Sequence, residues 1–474
     1  MKSILKALSA VALTTVMVLP VLADNTTSDA NTDAKDQKDL KKVIEDQGIN
    51  YVETAQKGIT LSGYVDTSYT EQFGGRGTGF GGSQALDHQF DVNNNDFNVN
   101  AVKIALEKAL PDKNEWAAGF RIDTIYGEDA KFLNDTAITG AAANTSGLAL
   151  EQALVKFRIP VGNGLDIYAG KFVTFLGYEV IESPANPNFS RGLLFTNAIP
   201  LTHTGVYADY KFNDTFEAKF GVVDGWNNSA STPNNTNSGI GAPISGTTDA
   251  RNDYPFGGKA ITGQLNINAP GKNANITQSF IYSPSGEPSN DGPALGSAAF
   301  SGANFAGHDN GPIAVYDIWG NWNPTFVKDS ALTLGFNIDF GYNGATGTPS
   351  QTLPLGGVAT PAVKGVGDSN TWWGTALYAQ YKFNKTLTLA ARGEYLHEDA
   401  SANPKFGAVG VSNDDWSETL TASFNIWDNL LTRVEYRYDH ITNGSTNPGV
   451  NGGPNNVGTY TNQDEISLEA VYSF

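Results

Sequence analysis

The stretch that decides the fold is the last one, QDEISLEAVYSF, residues 463–474. Ile466, Leu468, Ala470, Tyr472 and Phe474 fall on one parity. Glu465, Ser467, Glu469 and Ser473 fall on the other, with Val471 as the exception. A period of two describes a strand with one apolar and one polar face. A soluble sheet would turn the apolar face to a core, whereas a membrane barrel turns it to lipid and its polar face to a lumen.

Working outward from this strand, the same texture recurs across residues 58–474. Candidate strands lie at 58–72, 96–108, 115–127, 149–159, 164–173, 203–212, 215–226, 259–268, 273–283, 313–322, 331–341, 372–383, 386–397, 415–426, 430–440 and 464–474, sixteen in all within a range of 14–18. Most have the length that crosses a bilayer as a tilted strand, about 9–11 residues. The connections alternate. Short ones such as 111–114, 213–215 and 384–385 are interleaved with long ones such as 73–95, 174–202, 227–258 and 342–371. Short periplasmic turns opposite long extracellular loops are the signature of an outer-membrane barrel, and an even strand number puts both termini in the periplasm. The expected fold is therefore all-β, a transmembrane antiparallel barrel whose closure removes every free strand edge.

The inward faces are strongly charged. Arg433, Glu435 and Arg437 alternate with Val434, Tyr436 and Tyr438, and Arg392 and Glu394 share a parity in 386–397. Arg121, Asp123, Lys156 and Arg158 join them as candidate pore-wall residues, with Lys211, Asp209, Glu465 and Glu469. A dry interior would penalise unpaired ions by several kcal/mol each, so this face is expected to line a wet passage. Aromatics gather beside the short turns, at Trp116, Tyr210, Phe212, Tyr381, Phe383, Trp427 and Phe474, where an interfacial girdle belongs. The phase of the alternation slips near Ala101, which suggests a bulge.

The N-terminus reads as a signal peptide, residues 1–23. Lys2 and Lys6 precede an apolar run, and Val21 and Ala23 suit cleavage after Ala23. Its removal takes the formal charge from −19 to −21, which disfavours nucleic acid as a partner. Residues 24–57 form a polar segment, expected to be periplasmic and partly helical or disordered. The chain has no cysteine, so disulfides and thiolate metal sites are excluded. GRGTGFGG at 75–82 opens no helix, and DVNNND at 91–96 lacks the glycine and the glutamate of a calcium loop. None of the five histidines sits in an H-E-x-x-H pair. No enzyme activity and no cofactor are expected.

Residues 169–210 carry a family resemblance in GKFVTFLGYE at 170–179, NPNFSRGLLF at 186–195 and PLTHTGV at 200–206. The chain resembles the β-barrel porins of the OmpL-like group. The resemblance implies an outer-membrane channel for passive diffusion of small hydrophilic solutes and ions. It also implies an inward-folded third long loop, as in sixteen-stranded general porins. That loop would be 174–202, with Glu179, Glu182 and Arg191 as the constriction charges, the two glutamates facing a basic wall across a water-filled gap. Phe474 would be the signal read by the outer-membrane assembly machinery. The bilayer, that machinery and the solutes are the expected partners, with a homotrimer as the assembly to test. The alternative is a structural or adhesive barrel whose long loops bind a surface partner.

Overall fold

The computed structural model describes residues 58–73, 88, 90, 91, 93, 95–133, 147–227, 259–284, 309–346, 369–399, 412–444 and 458–474. Sixteen strands follow one another: β1 (Ile59–Gln72), β2 (Asp96–Lys108), β3 (Ala117–Tyr126), β4 (Leu148–Ile159), β5 (Leu165–Val173), β6 (Thr202–Lys211), β7 (Phe216–Val223), β8 (Ala260–Asn268), β9 (Ala274–Ser283), β10 (Asp309–Trp322), β11 (Leu332–Thr346), β12 (Asn370–Lys382), β13 (Leu387–Glu398), β14 (Asn413–Trp427), β15 (Leu430–Gly444) and β16 (Gly458–Ser473). Each pairs with its sequence neighbours, and β16 returns to β1, so the sheet is a closed barrel. The closing register runs from Tyr64 opposite Ser473 to Gln72 opposite Glu465. Beyond it, Gly63 and Phe474 exchange both backbone hydrogen bonds, at 3.0 and 2.9 Å. Among the described residues no helix is long and apolar enough to cross a membrane.

The two faces separate as the alternation requires. Leu377, Leu420, Phe220, Leu468 and Ile104 are exposed on the outside. Inside, Arg433, Glu435, Arg437, Asp439, Glu465 and Glu469 are buried. Val471, the exception to the pattern, also turns inward and is fully buried. At the short-turn end Trp116, Phe212, Phe383, Trp427 and Phe474 present exposed rings. Tyr210 and Phe212 pack edge to face, as do Tyr381 and Phe383. Aromatic rings suit this position because one edge meets hydrocarbon and the other meets headgroups.

The ladders depart from the predicted spans mainly at the long-connection end. There β10, β11, β15 and β16 run several residues beyond the alternating segments, into Gly-, Asn- and Thr-rich sequence. A ladder needs only backbone groups, and past the lipid nothing demands an apolar face. The slip foreseen near Ala101 appears as two successive buried residues, Asn100 and Ala101. A second irregularity was not foreseen. The β3–β4 register shifts between Asp123 and Thr124, leaving Glu151 without a partner, and Glu151 and Gln152 are both buried.

The lipid-facing assignment is testable at Leu377, which lies mid-strand on β12 and is 65% exposed. Leu377→Arg should cost about 2–4 kcal/mol, the penalty for a cation near the bilayer midplane. Urea titration of protein refolded in vesicles measures it. An unchanged midpoint would mean that this face does not meet lipid.

Candidate functional site: the lumen and the segment 174–202

Between β5 and β6 the chain turns into the ring of inward side chains. Gly177 begins the turn at φ 93°, a conformation that L side chains rarely adopt. Phe175, Leu176, Ile181, Phe189, Leu193, Leu194 and Phe195 are all buried. The Phe175 carbonyl accepts hydrogen bonds from Gln264 on β8 and Ser279 on β9, both 2.8 Å. The Tyr178 N–H donates to Asn337 Oδ1 on β11 at 2.6 Å, and its ring stacks on Tyr378 of β12 with centroids 4.1 Å apart. Gly335 makes room for that ring, since a Cβ there would lie 2.7 Å from it.

Past this point the segment has little regular structure, and its backbone is held by side chains of the wall. The N–H groups of Phe189 and Ser190 donate to Glu435 at 2.6 and 2.9 Å. The Leu193 N–H donates to Glu394 at 3.0 Å. Arg433 donates to the carbonyls of Ser183 and Asn186 at 3.0 and 2.7 Å, Arg392 to that of Ser190 at 2.6 Å, and Arg437 to that of Arg191 at 2.8 Å. Buried peptide groups need partners, and these charges supply them where no ladder does.

The three expected constriction charges are all buried and paired. Glu179 binds Arg392 at 2.7 Å and accepts the Gly192 N–H at 2.8 Å. Glu182 binds Lys103 on β2, which also contacts Glu151 and Asp123 at 2.5 and 3.3 Å. Arg191 reaches Asp129 at 3.3 Å and lies 4.6 Å from the Phe90 ring. The expected water-filled gap between the glutamates and a basic wall is therefore absent: the contacts are direct. Nor is the wall of one sign. Glu394, Glu435, Glu469 and Asp439 alternate with Arg392, Arg433 and Arg437, so each cation has an acid within reach.

The other wall residues sit on β3 and β4, where Arg121 pairs with Asp123 at 2.6 Å and Lys156 with Glu107. Arg158 lies at the short-turn end, pairing with Asp166 at 2.6 Å and donating to the carbonyl of Pro111. Here the inward charges are less covered, with Glu107, Arg158, Asp166, Asp209 and Glu217 14–21% exposed. Three further partners, Lys103, Glu151 and Asp129, are not among the residues expected from sequence. The alternation places Lys103 and, through the β3–β4 irregularity, hides Glu151. Asp129 lies in a 3-10 turn, Asp129–Phe132, that no strand pattern marks.

The sixteen strands thus close around a charged lumen into which the segment 174–202 folds. The chain matches over residues 58–474 the family described as "Putative beta-barrel porin-2, OmpL-like". The chain belongs to this porin family. It is an outer-membrane barrel and a channel for solute diffusion. Among solved structures the porin is similar to the outer membrane channel DcaP of Acinetobacter baumannii, at 10% identity, 88% coverage of this chain, 97% of that one and a TM-score of 0.50. It is also similar to the trimer form of OmpT from Vibrio cholerae and to an anion-selective porin from Comamonas acidovorans. Both are 11% identical over 88% of this chain and 99% of theirs, with TM-scores of 0.51. At such identities the likeness shows the fold alone. No curated protein matches the chain in sequence.

If wall charges hold the segment, removing one should be costly. Arg392→Met strands Glu179, Glu394 and the Ser190 carbonyl, and should destabilise the porin by about 3–5 kcal/mol, as for a buried pair that loses one member. Adding Glu179→Gln to that variant should recover part of the loss. Chemical unfolding in detergent measures both, and an unchanged midpoint for Arg392→Met would show that the segment does not depend on this cation.

Proposed function

We propose that this porin is a narrow diffusion channel in which the segment 174–202 sets the constriction, with Glu179, Glu182 and Arg191 fixing its position. The reading is carried by one observation: the segment is anchored on both sides of the lumen, to β8, β9 and β11 through Gln264, Ser279 and Asn337, and to β2 through Lys103. A sixteen-strand barrel encloses an aqueous lumen, and a chain segment fixed across it leaves a smaller passage. The mixed charges of Glu107, Arg158, Asp166, Asp209 and Glu217 at the short-turn end suit small hydrophilic solutes and ions. The alternative, a structural or adhesive barrel, would show no conductance at all.

Planar-bilayer recording tests the constriction. Glu179→Gln combined with Glu182→Gln removes a counter-charge from Arg392 and from Lys103. The lumen then becomes more positive, so the reversal potential under a salt gradient should move toward anions. The freed segment should raise single-channel conductance. Identical reversal potential and conductance in the wild type and the double variant would remove the segment from the conduction path.

The same reading extends to export and assembly. Residues 1–23 would be cleaved on export, and residues 24–57 would lie in the periplasm; both stretches fall outside the described residues. Phe474, whose backbone completes the β1–β16 closure, would be read by the assembly machinery. Phe474→Asp should lower the amount of barrel in outer-membrane fractions while export continues, and wild-type levels would remove that role. A homotrimer is the assembly we propose, supported by the description of one structural neighbour as a trimer form. Mass measurement in detergent separates one barrel from three.

A further inference from the structure

The connection between β1 and β2 returns a histidine to the lumen at the level of β15 and β16. His88 is buried, and its Nε2 lies 2.8 Å from Asp439 Oδ2 in a well-formed hydrogen bond. Gln463 also donates to that oxygen, at 3.1 Å. The other ring nitrogen is arranged differently. Nδ1 is 2.9 Å from Asp91 Oδ2 and 3.8 Å from Glu465 Oε2, yet it makes no aligned hydrogen bond. Both Asp91 oxygens and Glu465 Oε1 are likewise buried without a hydrogen-bond partner. One ligand atom from each of His88, Asp91 and Glu465 falls within 4.8 Å of the other two.

One imidazole nitrogen and two carboxylates at this spacing have the composition of a metal site. Nitrogen and oxygen ligands at about 2.0–2.2 Å from a zinc ion stand roughly 3–4 Å from each other. A metal-binding imidazole typically gives its second N–H to a carboxylate, which fixes the tautomer and points the free lone pair at the ion. Asp439 stands in that place. The charges agree as well. Asp91, Glu465 and Asp439 bring three negative charges, and Arg437, 3.7 Å from Asp91 and 2.8 Å from Asp439, offsets one. A divalent cation balances the remaining two. The acidic cluster Asp123, Glu151 and Glu182 lacks this character because the Lys103 ammonium already lies among its carboxylates.

We propose that His88, Asp91 and Glu465 bind one divalent transition-metal cation of the zinc class, with Asp439 as the positioning residue. The mixed imidazole–carboxylate set favours such ions over calcium or magnesium, which prefer oxygen alone. The ion fastens the β1–β2 connection to the wall at β15 and β16. Between the two loop ligands, Phe90 packs on Phe195 at 6.0 Å and on Phe132 at 5.4 Å, so the fastened connection also bears on the segment 174–202.

The test uses the full chain in detergent, stripped with a chelator, dialysed and titrated with Zn2+ by equilibrium dialysis. Folding of each variant is checked by its heat-modifiable gel migration. Wild type should take up one equivalent, and His88→Ala and Glu465→Gln should each weaken binding by at least about tenfold. Asp439→Asn should keep the stoichiometry but shift the visible d–d bands of bound Co2+. Zn2+ should raise the thermal midpoint of wild type, and chelator should reverse the rise, a readout that needs no variant. Absence of binding by wild type, absence of that rise, or wild-type affinity in a folded His88→Ala protein would each overturn the site.

Discussion

In hydrocarbon there is no water to receive an unpaired peptide group, so a sheet that spans a membrane must close. The rest of the porin depends on that closure, which the β1–β16 register completes. Closed in this way, each strand has only two environments for its side chains. The outer one accepts Leu, Phe and Ile and the inner one does not need to. The alternation in 463–474 is the local trace of this constraint. Glu465 and Glu469 are tolerated in a membrane strand because the lumen, not lipid, is behind them.

The inner charges then take on a second task. A buried ion pair is weak support for stability, since apolar packing often does as well. What an apolar wall cannot do is hydrogen-bond a peptide. The segment 174–202 crosses the lumen with little secondary structure, so its N–H and carbonyl groups would be orphaned against such a wall. Glu435 and Glu394 accept from its N–H groups, while Arg392, Arg433 and Arg437 donate to its carbonyls. The wall charges act as the missing ladder. The alternation in sign along β15 matches these partners: Arg433 meets the carbonyls of Ser183 and Asn186, Glu435 the N–H groups of Phe189 and Ser190, and Arg437 the carbonyl of Arg191.

Much of this architecture is legible in sequence because period-two patterning and turn chemistry are local. Strand β2 has the predicted limits, 96–108, and several others differ by a residue or two at each end. The wall residues Arg392, Glu394, Arg433, Glu435 and Arg437 follow from parity alone. What parity cannot give is distance across the lumen. Glu179 and Glu182 were expected to stand off from the wall, yet they touch it, because nothing local says how far a loop reaches. Glu151 is hidden for another reason: an irregularity in a single ladder reverses the face on which later residues fall. His88 and Asp91 belong to a loop whose sequence has no period, and only the fold brings them to Asp439 and Glu465.

The lumen is consequently a property of several connections rather than of one. Arg191, in the segment after β5, lies against Phe90 from the connection after β1 and reaches Asp129 from the connection after β3. These three connections leave the barrel at the same end, and each contributes one member of a single contact cluster. A group at the centre of such a cluster cannot move without its neighbours, since packed side chains have few alternative arrangements. Charge substitutions in any of the three should therefore alter the passage through the position of the others. The position of the segment 174–202 is thus set jointly by the wall charges that hold its peptide groups and by the side chains of the other two connections that lie against Arg191.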